Sequence, residues 1–449
     1  MLVRFIVENF RSFKDRCEFS MAASRVARHP AHVTEISGKR VLRSSFIFGA
    51  NAGGKTSFFR ALEFAVDIVR KGIRHVDCGE RNFRLCDKPS DQGMFQFDFI
   101  ADGHVYSYGF VVSYTAVSII AEWLYLCDDA KKNICIFNRE MVKNRVCVET
   151  ELSAPAIDTE WWAFYKRDFE GGDNSQTLVL SDLALRSSTG NEVVGHVLSV
   201  QKWFSLFTLI SPEQIYNGGL YLQGDSATKA ELESYLRHFD TGITKIVLKD
   251  IDYDDTVKKL PSYIRDDLQH SFTKVAKGQR KRITASVSND KVTYFFSFEK
   301  DTIRARRLMF EHGRKTNPFD RCEESDGTRR LLDMLPLLIR LKSKAIVVID
   351  EIDRSLHTKA TTELIREFLS QDSRSGSQLI ATTHDGEILD LDLLRQDEIW
   401  FVERGDDYVS RLFPLTKFNV RFDMSVKKDY LLGRYGALPI FGRLGELEP

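Results

Sequence analysis

Apolar positions along the chain change period several times, and each change predicts an element. Residues 2–7 alternate as a short strand that breaks at Asn9, and Phe46–Phe48 is a second apolar run leading straight into a glycine-rich stretch. From Lys55 to about Arg70, Phe58, Phe59, Leu62, Ala65, Val66 and Val69 recur at helical spacing. Residues 94–126 return to alternation, with Phe95, Phe97 and Phe99 on one face and Asp102-Gly103 as a hairpin turn. Between about 150 and 290 the period becomes helical, at Thr159–Phe169, Val193–Leu209, Lys229–His238 and Ser262–Val275. Strand signals resume at 292–298 and 304–310, followed by a helix from Ser325 and a buried strand at Ala345–Ile349. A helix near 358–370 and strands at Gln378–Thr382 and Glu398–Glu403 complete the pattern. Strands alternating with helices predict a parallel sheet in the C-terminal half. The fold class is therefore α/β, divided as 1–150 with a mixed β meander, 151–290 as a mainly helical insertion, and 291–449 as a second lobe. Neither an internal repeat nor a low-complexity tract interrupts it.

Composition narrows the setting. A chain of 449 residues, 43% hydrophobic and 29% charged, is in the range of globular proteins and long enough for one large α/β core with a substantial insertion. Formal net charge is zero, so contact with nucleic acid would rest on a local patch. Two such patches stand out: Lys277, Arg280, Lys281 and Arg282, and then Arg304, Arg306 and Arg307. Neither is interleaved with aromatics, and solvated strand ends are the plainer account of them. No stretch offers the roughly 18 uninterrupted apolar residues of a membrane span. Arg4 and Glu8 inside the apolar N-terminus argue against a secretory leader. Seven scattered cysteines without a Cys-x-x-Cys pair point to reduced thiols, hence to a bacterial or archaeal cytoplasm.

Chemistry concentrates in a few short segments. Gly49-Ala50-Asn51-Ala52-Gly53-Gly54-Lys55-Thr56 matches G-x-x-x-x-G-K-[ST], after a strand and opening a helix as its mechanism requires. Glycines let backbone N–H groups curl around phosphates, and the helix N-terminus adds positive potential. Lys55 is the expected partner of the terminal phosphates, and the Thr56 hydroxyl a Mg²⁺ ligand. This loop predicts ATP and Mg²⁺ as cofactors. Val347-Val348-Ile349-Asp350-Glu351 is an apolar strand ending in two carboxylates. Asp350 is the candidate to hold Mg²⁺, and Glu351 to orient and polarise an attacking water. Leu379-Ile380-Ala381-Thr382-Thr383-His384 is a buried strand with a histidine at its tip. Glu324-Ser325-Asp326-Gly327-Thr328 opens a helix in which Ser325 is a suitable N-cap and Gly327 permits close approach of an anion. Pro336 should kink that helix. The apolar tail Tyr430–Pro439 is expected to pack on the core.

In this order, Phe10-Arg11-Ser12-Phe13, GANAGGKT, ESDGTRR, VVIDEIDRSLH and IATTHD resemble the ABC/SMC-type P-loop ATPases. Within them the chain is similar to the stand-alone ATPases of bacterial antiphage systems, the PARIS AriA-like and RloA-like group related to the ATPase part of OLD nucleases. The resemblance is good at both ends and loose in the middle third. It implies an ABC-type ATPase head that pairs with a second copy, burying ATP between the P-loop of one and the Ser325–Gly327 signature of the other. His384 then senses the γ-phosphate. Asp353–His357 stands at the D-loop, with His357 where many relatives have Asp. A Q-loop residue is not evident; Gln96 and Glu122 are the candidates. The implied role is an oligomeric sensor and scaffold restraining a separate toxic effector, a Toprim-type (AriB-like) nuclease, until a phage protein triggers release. OLD nucleases carry their Toprim domain after the ATPase, and the sequence ends at Pro449 without one, so a nuclease is expected on a separate polypeptide. The alternative is a RecF-like DNA-repair ATPase with DNA as partner; neither reading involves a membrane.

Overall fold

The computed structural model describes residues 1–129, 132–142, 145–152, 156–186, 192–214, 216, 226–276, 282–288, 292–299, 302–313, 317–418, 420 and 425–438. They form two compact units: Met1–Ser211 with Leu341–Ile352 and Leu369–Pro449, and Pro212–Arg340 with Asp353–Phe368.

The first unit is built on two sheets. Alternation in residues 92–142 yields four long antiparallel strands, and with Arg145–Glu149, Leu2–Glu8 and Cys17–Ser20 they make a seven-stranded sheet. Its apolar face carries Phe95, Phe97 and Phe99, all fully buried. Trp203 stacks on Phe99 at 3.8 Å between ring centres, and Phe204 and Phe207 pack edge-on against Phe97. Burying each such ring is worth about 1.5–3 kcal/mol. The second sheet has six strands in the order Phe207–Ile210, Ile346–Ile349, Gln378–Thr383, Ser44–Phe48, Ile399–Arg404, Ser410–Pro414. All neighbours are parallel except the last pair. Near-continuous burial along the central strands is what a parallel sheet covered on both faces requires. Lys55–Lys71 is helical as expected, and its Phe58 meets Phe5 and Phe19 of the seven-stranded sheet.

The expected helix Val193–Leu209 is corrected. The helix runs Glu192–Phe204, and Phe207–Ile210 is instead the edge strand beside Ile346–Ile349. A four-residue apolar run has no period of its own, so the neighbouring strand decides it.

The second unit carries a four-stranded antiparallel sheet, ordered Lys245–Ile251, Thr302–Glu311, Thr293–Glu299, Arg282–Ser288. Helices Ser226–His238, Tyr253–Lys258, Ser262–Ala276, Asp326–Arg340 and Thr358–Ser370 accompany it in sequence. Val257, Leu268, Phe272, Phe296 and Phe298 form a core of its own. The division therefore differs from one at 150 and 290. Helices Thr159–Gly171, Val179–Leu185 and Glu192–Phe204 belong to the first unit, and the second combines strands with helices. Helical periodicity reveals an apolar face but not the sheet it will cover.

The tail folds back onto the first unit through residue 438, with Tyr430 and Tyr435 each stacked 5.5 Å from Phe401; Pro439 lies outside the described residues. Among the described residues, no helix is long and apolar enough to cross a membrane.

Candidate functional site

The glycine-rich loop leaves the Ser44–Phe48 strand and enters the Lys55–Lys71 helix. Its conformation depends on glycine at particular points. Gly54 has φ +122°, and a Cβ there would strike the Ser410 hydroxyl; a Cβ on Gly49 would collide with the Val402 carbonyl. Ala52 is left-handed at φ 61°. Ser410 Oγ donates to Gly53 O at 2.8 Å, so the outermost two strands brace the loop from behind. Lys55 is buried, and its ammonium donates to the carbonyls of Gly49 and, at 2.9 Å, of Ala50. Asn51, Ala52 and Thr56 are exposed at the mouth.

The two carboxylates sit at the end of the neighbouring Ile346–Ile349 strand. Parallel pairing sets Ala381 opposite Ile349, which brings Thr382 beside Asp350. Thr382 Oγ1 donates to Asp350 Oδ1 at 2.6 Å and accepts from the Glu351 N–H at 2.8 Å. Asp350 is fully buried, and burial holds its carboxyl above the usual range. The hydroxyls of Thr382 and Thr56 and the charge of Arg60 pull the other way. Its second oxygen, Oδ2, is buried without a hydrogen-bond partner. Glu351 occupies the left-handed region at φ 53°, a conformation costly to a non-glycine residue and held here by the bond to Thr382. One carboxylate thus points inward toward Thr56, while its neighbour is half-buried. His384, at the tip of the next strand, donates from Nε2 to Glu351 Oε1 at 3.1 Å.

A cleft of about 480 Å³ opens beside Thr56, lined by Arg11, Arg60, Arg81, Glu63 and Asp67. A second, of about 430 Å³, adjoins Ser57 and is lined by Arg11, Ser12, Arg81, Arg404 and Tyr408. Arg11 itself stands in the left-handed region, its N–H donating to Arg81 O. Burial, then the charges of Arg81 and Arg60, lowers its pKa from the ordinary value. The first cleft balances its arginines with Glu63, Asp67 and Asp77, whereas the second sets Arg11, Arg81, Arg84 and Arg404 against Glu80 alone and is the one that favours an anion.

The family model described as "AAA domain, putative AbiEii toxin, Type IV TA system" matches residues 158–390, more than half of the chain. The chain belongs to this family of AAA ATPase domains. The matched segment contains Asp350, Glu351 and His384; the glycine-rich loop precedes it. Among solved structures, this ATPase is similar to an SMC head bound to the C-terminal winged-helix domain of ScpA. That likeness has 12% identity and TM-score 0.41, covering 96% of this chain and 99% of that one. The SMC head domain from Thermotoga maritima is similar at 12% identity and TM-score 0.38, covering 92% and 98%. No curated protein matches.

Other expected residues of this AAA ATPase fall elsewhere. Ser325 and Gly327 belong to the second unit. Ser325 Oγ accepts from the Thr328 N–H at 3.2 Å, capping the Asp326–Arg340 helix. A Cβ on Gly327 would press on Ser355 O in the turn after Glu351. Pro336 lies within that helix as expected. Neither Q-loop candidate is available for such a role. Gln96 donates to Asp98 and Ser107 on the antiparallel sheet, and Glu122 is fully buried, accepting from Tyr108 Oη and from the N–H groups of Val179 and Leu180. Of the basic clusters, Arg307 pairs with Asp320, while Lys277, Arg280 and Lys281 lie outside the described residues.

Sequence reasoning passed over Thr382, Arg60 and Ser410. Arg60 was within reach, four residues after Thr56 on one helical face. Thr382 becomes visible only through strand register, and Ser410 only through contact across 357 residues of chain.

Proposed function

We propose that this chain binds MgATP at Gly49–Thr56 and hydrolyses it, and that its ATP state governs an assembly rather than transport. The observation that carries the proposal is the Thr382 hydroxyl bonded to both Asp350 and the Glu351 N–H, with His384 on the Glu351 carboxylate. A single side chain thereby sets the directions of two adjacent acids with different tasks.

The site has donors of the right kind for Mg²⁺. A buried carboxylate oxygen lacking any hydrogen-bond partner, with a threonine hydroxyl nearby, is a hard-oxygen pair suited to that ion. Thr56 and Asp350 would hold it, and the ion would supply charge to the β- and γ-phosphates. Lys55 and the loop N–H groups bind the phosphates, and Arg11 in the adjoining cleft adds positive charge beside them. Glu351 orients the attacking water and accepts its proton, and His384 fixes the carboxylate while facing the γ-phosphate. Ser325 and Gly327 would act on the ATP of a second copy, so that two chains complete two sites.

At the level of role, we read the protein as a cytoplasmic antiphage sensor and scaffold of the PARIS and OLD-like group, restraining a separate Toprim-type effector until a phage protein intervenes. The family description, which names a toxin of a toxin–antitoxin system, supports a place in such conflict systems. Retention of radiolabelled ATP by Glu351→Gln, together with co-purification of an effector and phage plating, tests the whole reading. Wild-type turnover in that variant would remove the hydrolytic assignment. Absence of both effector and protection would remove the role.

A further inference from the structure

A second cluster of metal-ligating side chains lies in the other unit and plays no part in the nucleotide site. His238 ends the Ser226–His238 helix, and Glu363 and Glu367 stand four residues apart on Thr358–Ser370. His238 Nε2 is 2.8 Å from Glu363 Oε1 and 3.9 Å from Glu367 Oε1, and all three donor atoms lie within 4.8 Å of one another. The other Glu363 oxygen faces Arg366 at 3.5 Å.

We propose that His238, Glu363 and Glu367 form a site for a divalent transition ion of the Zn²⁺ class. Size is the first argument. Donors bound to one tetrahedral ion at ~2.1 Å stand about 3.4 Å apart, a value bracketed by the two measured separations. A small inward shift of the Glu367 carboxylate and an equal retreat of Glu363 would seat the ion. Charge is the second. Two glutamates at i and i+4 repel each other on an isolated helix, yet here both turn toward the same imidazole. A cation between them converts that repulsion into attraction, and it sits where the Ser226–His238 helix ends and its dipole is negative. The donor set is the third: one imidazole and two carboxylates suit zinc-like ions, with the remaining position left for water. Bound there, the ion would clamp the end of one helix to the helix that follows the Asp353–His357 turn, only a dozen residues beyond Glu351.

The full-length protein, stripped with chelator and kept free of nucleotide, would be titrated with Zn²⁺ in a calorimeter and with Co²⁺ in a spectrophotometer. We expect one strong site per chain, a Zn²⁺-dependent rise in melting temperature, and Co²⁺ d–d bands without sulfur charge transfer. The double variant Glu363→Gln/Glu367→Gln and the single variant His238→Asn should each bind on the order of tenfold or more weakly and lose the thermal shift. Metal-free circular dichroism should be unchanged, since these side chains are partly exposed. Equal Zn²⁺ affinity in wild type and variants, or thiolate absorption from the seven free cysteines, would overturn the site and leave an ordinary His–Glu ion pair. If the double variant fails to fold, His238→Asn decides the question alone. Because no nucleotide is present, the outcome is independent of the ATPase proposal.

Discussion

At the scale of single residues, the proposed hydrolysis rests on how two neighbouring acids are kept different. Asp350 is sealed in and held by Thr382, while Glu351, one residue later and left-handed, is turned toward His384. Lys55→Ala should weaken ATP binding roughly 10- to 100-fold, the value of a charge-assisted phosphate contact, as read by filter binding. Glu351→Gln should retain ATP while turnover falls on the order of 10²-fold or more, the usual contribution of a general base. Thr382→Val keeps shape but strands the Glu351 N–H and one Asp350 oxygen. About 1–3 kcal/mol of stability should go with each buried group left unpaired, measured by urea unfolding. Turnover should drop even though Thr382 touches no phosphate in this scheme; a Thr382→Val protein with full activity would show that the acids orient themselves.

At the scale of elements, one buried carboxylate shows how helices are fastened to the meander. Glu122 receives the first N–H groups of the Val179–Leu185 helix and the hydroxyl of Tyr108. Burial pushes its carboxyl up to about 7, against the pull of Arg139 and those three donors. A folded pKa above the unfolded value means the contribution is complete below about pH 4.5 and is lost as pH rises through about 7. Wild type should therefore lose stability relative to Glu122→Gln between about pH 4.5 and pH 7; a constant difference in urea midpoints would show that the carboxyl titrates normally. Much of the element pattern was legible. The P-loop helix and the strand bearing Phe95–Phe99 follow from period, and Val347–Ile349 and Leu379–Thr382 from apolar runs that each end in a polar, chemistry-bearing residue. The strand Phe207–Ile210 was not, because four apolar residues fit either period until Ile346–Ile349 lies beside them.

For the whole molecule, the central matter is what the ATP state assembles. If two copies close over ATP, Glu351→Gln should sediment as a larger species with ATP than without it, and Ser325→Arg should abolish that shift while each chain still binds nucleotide. A RecF-like clamp would instead show ATP-stimulated duplex binding that falls steeply with salt. Arg307, committed to Asp320, weakens the basic patch such binding would use.

The sequence alone determined the phosphate loop, the acid pair and the histidine-tipped strand, because each is a contiguous segment whose chemistry follows from its order. Tertiary structure decided everything that joins distant segments. Register placed Thr382 beside Asp350, and the outer strands set Val402 and Ser410 behind the glycines. Helix packing brought His238 to Glu363 across 125 residues of chain. Local order fixes what a residue can do, whereas neighbours remote in sequence are chosen only when the whole chain buries its apolar faces together.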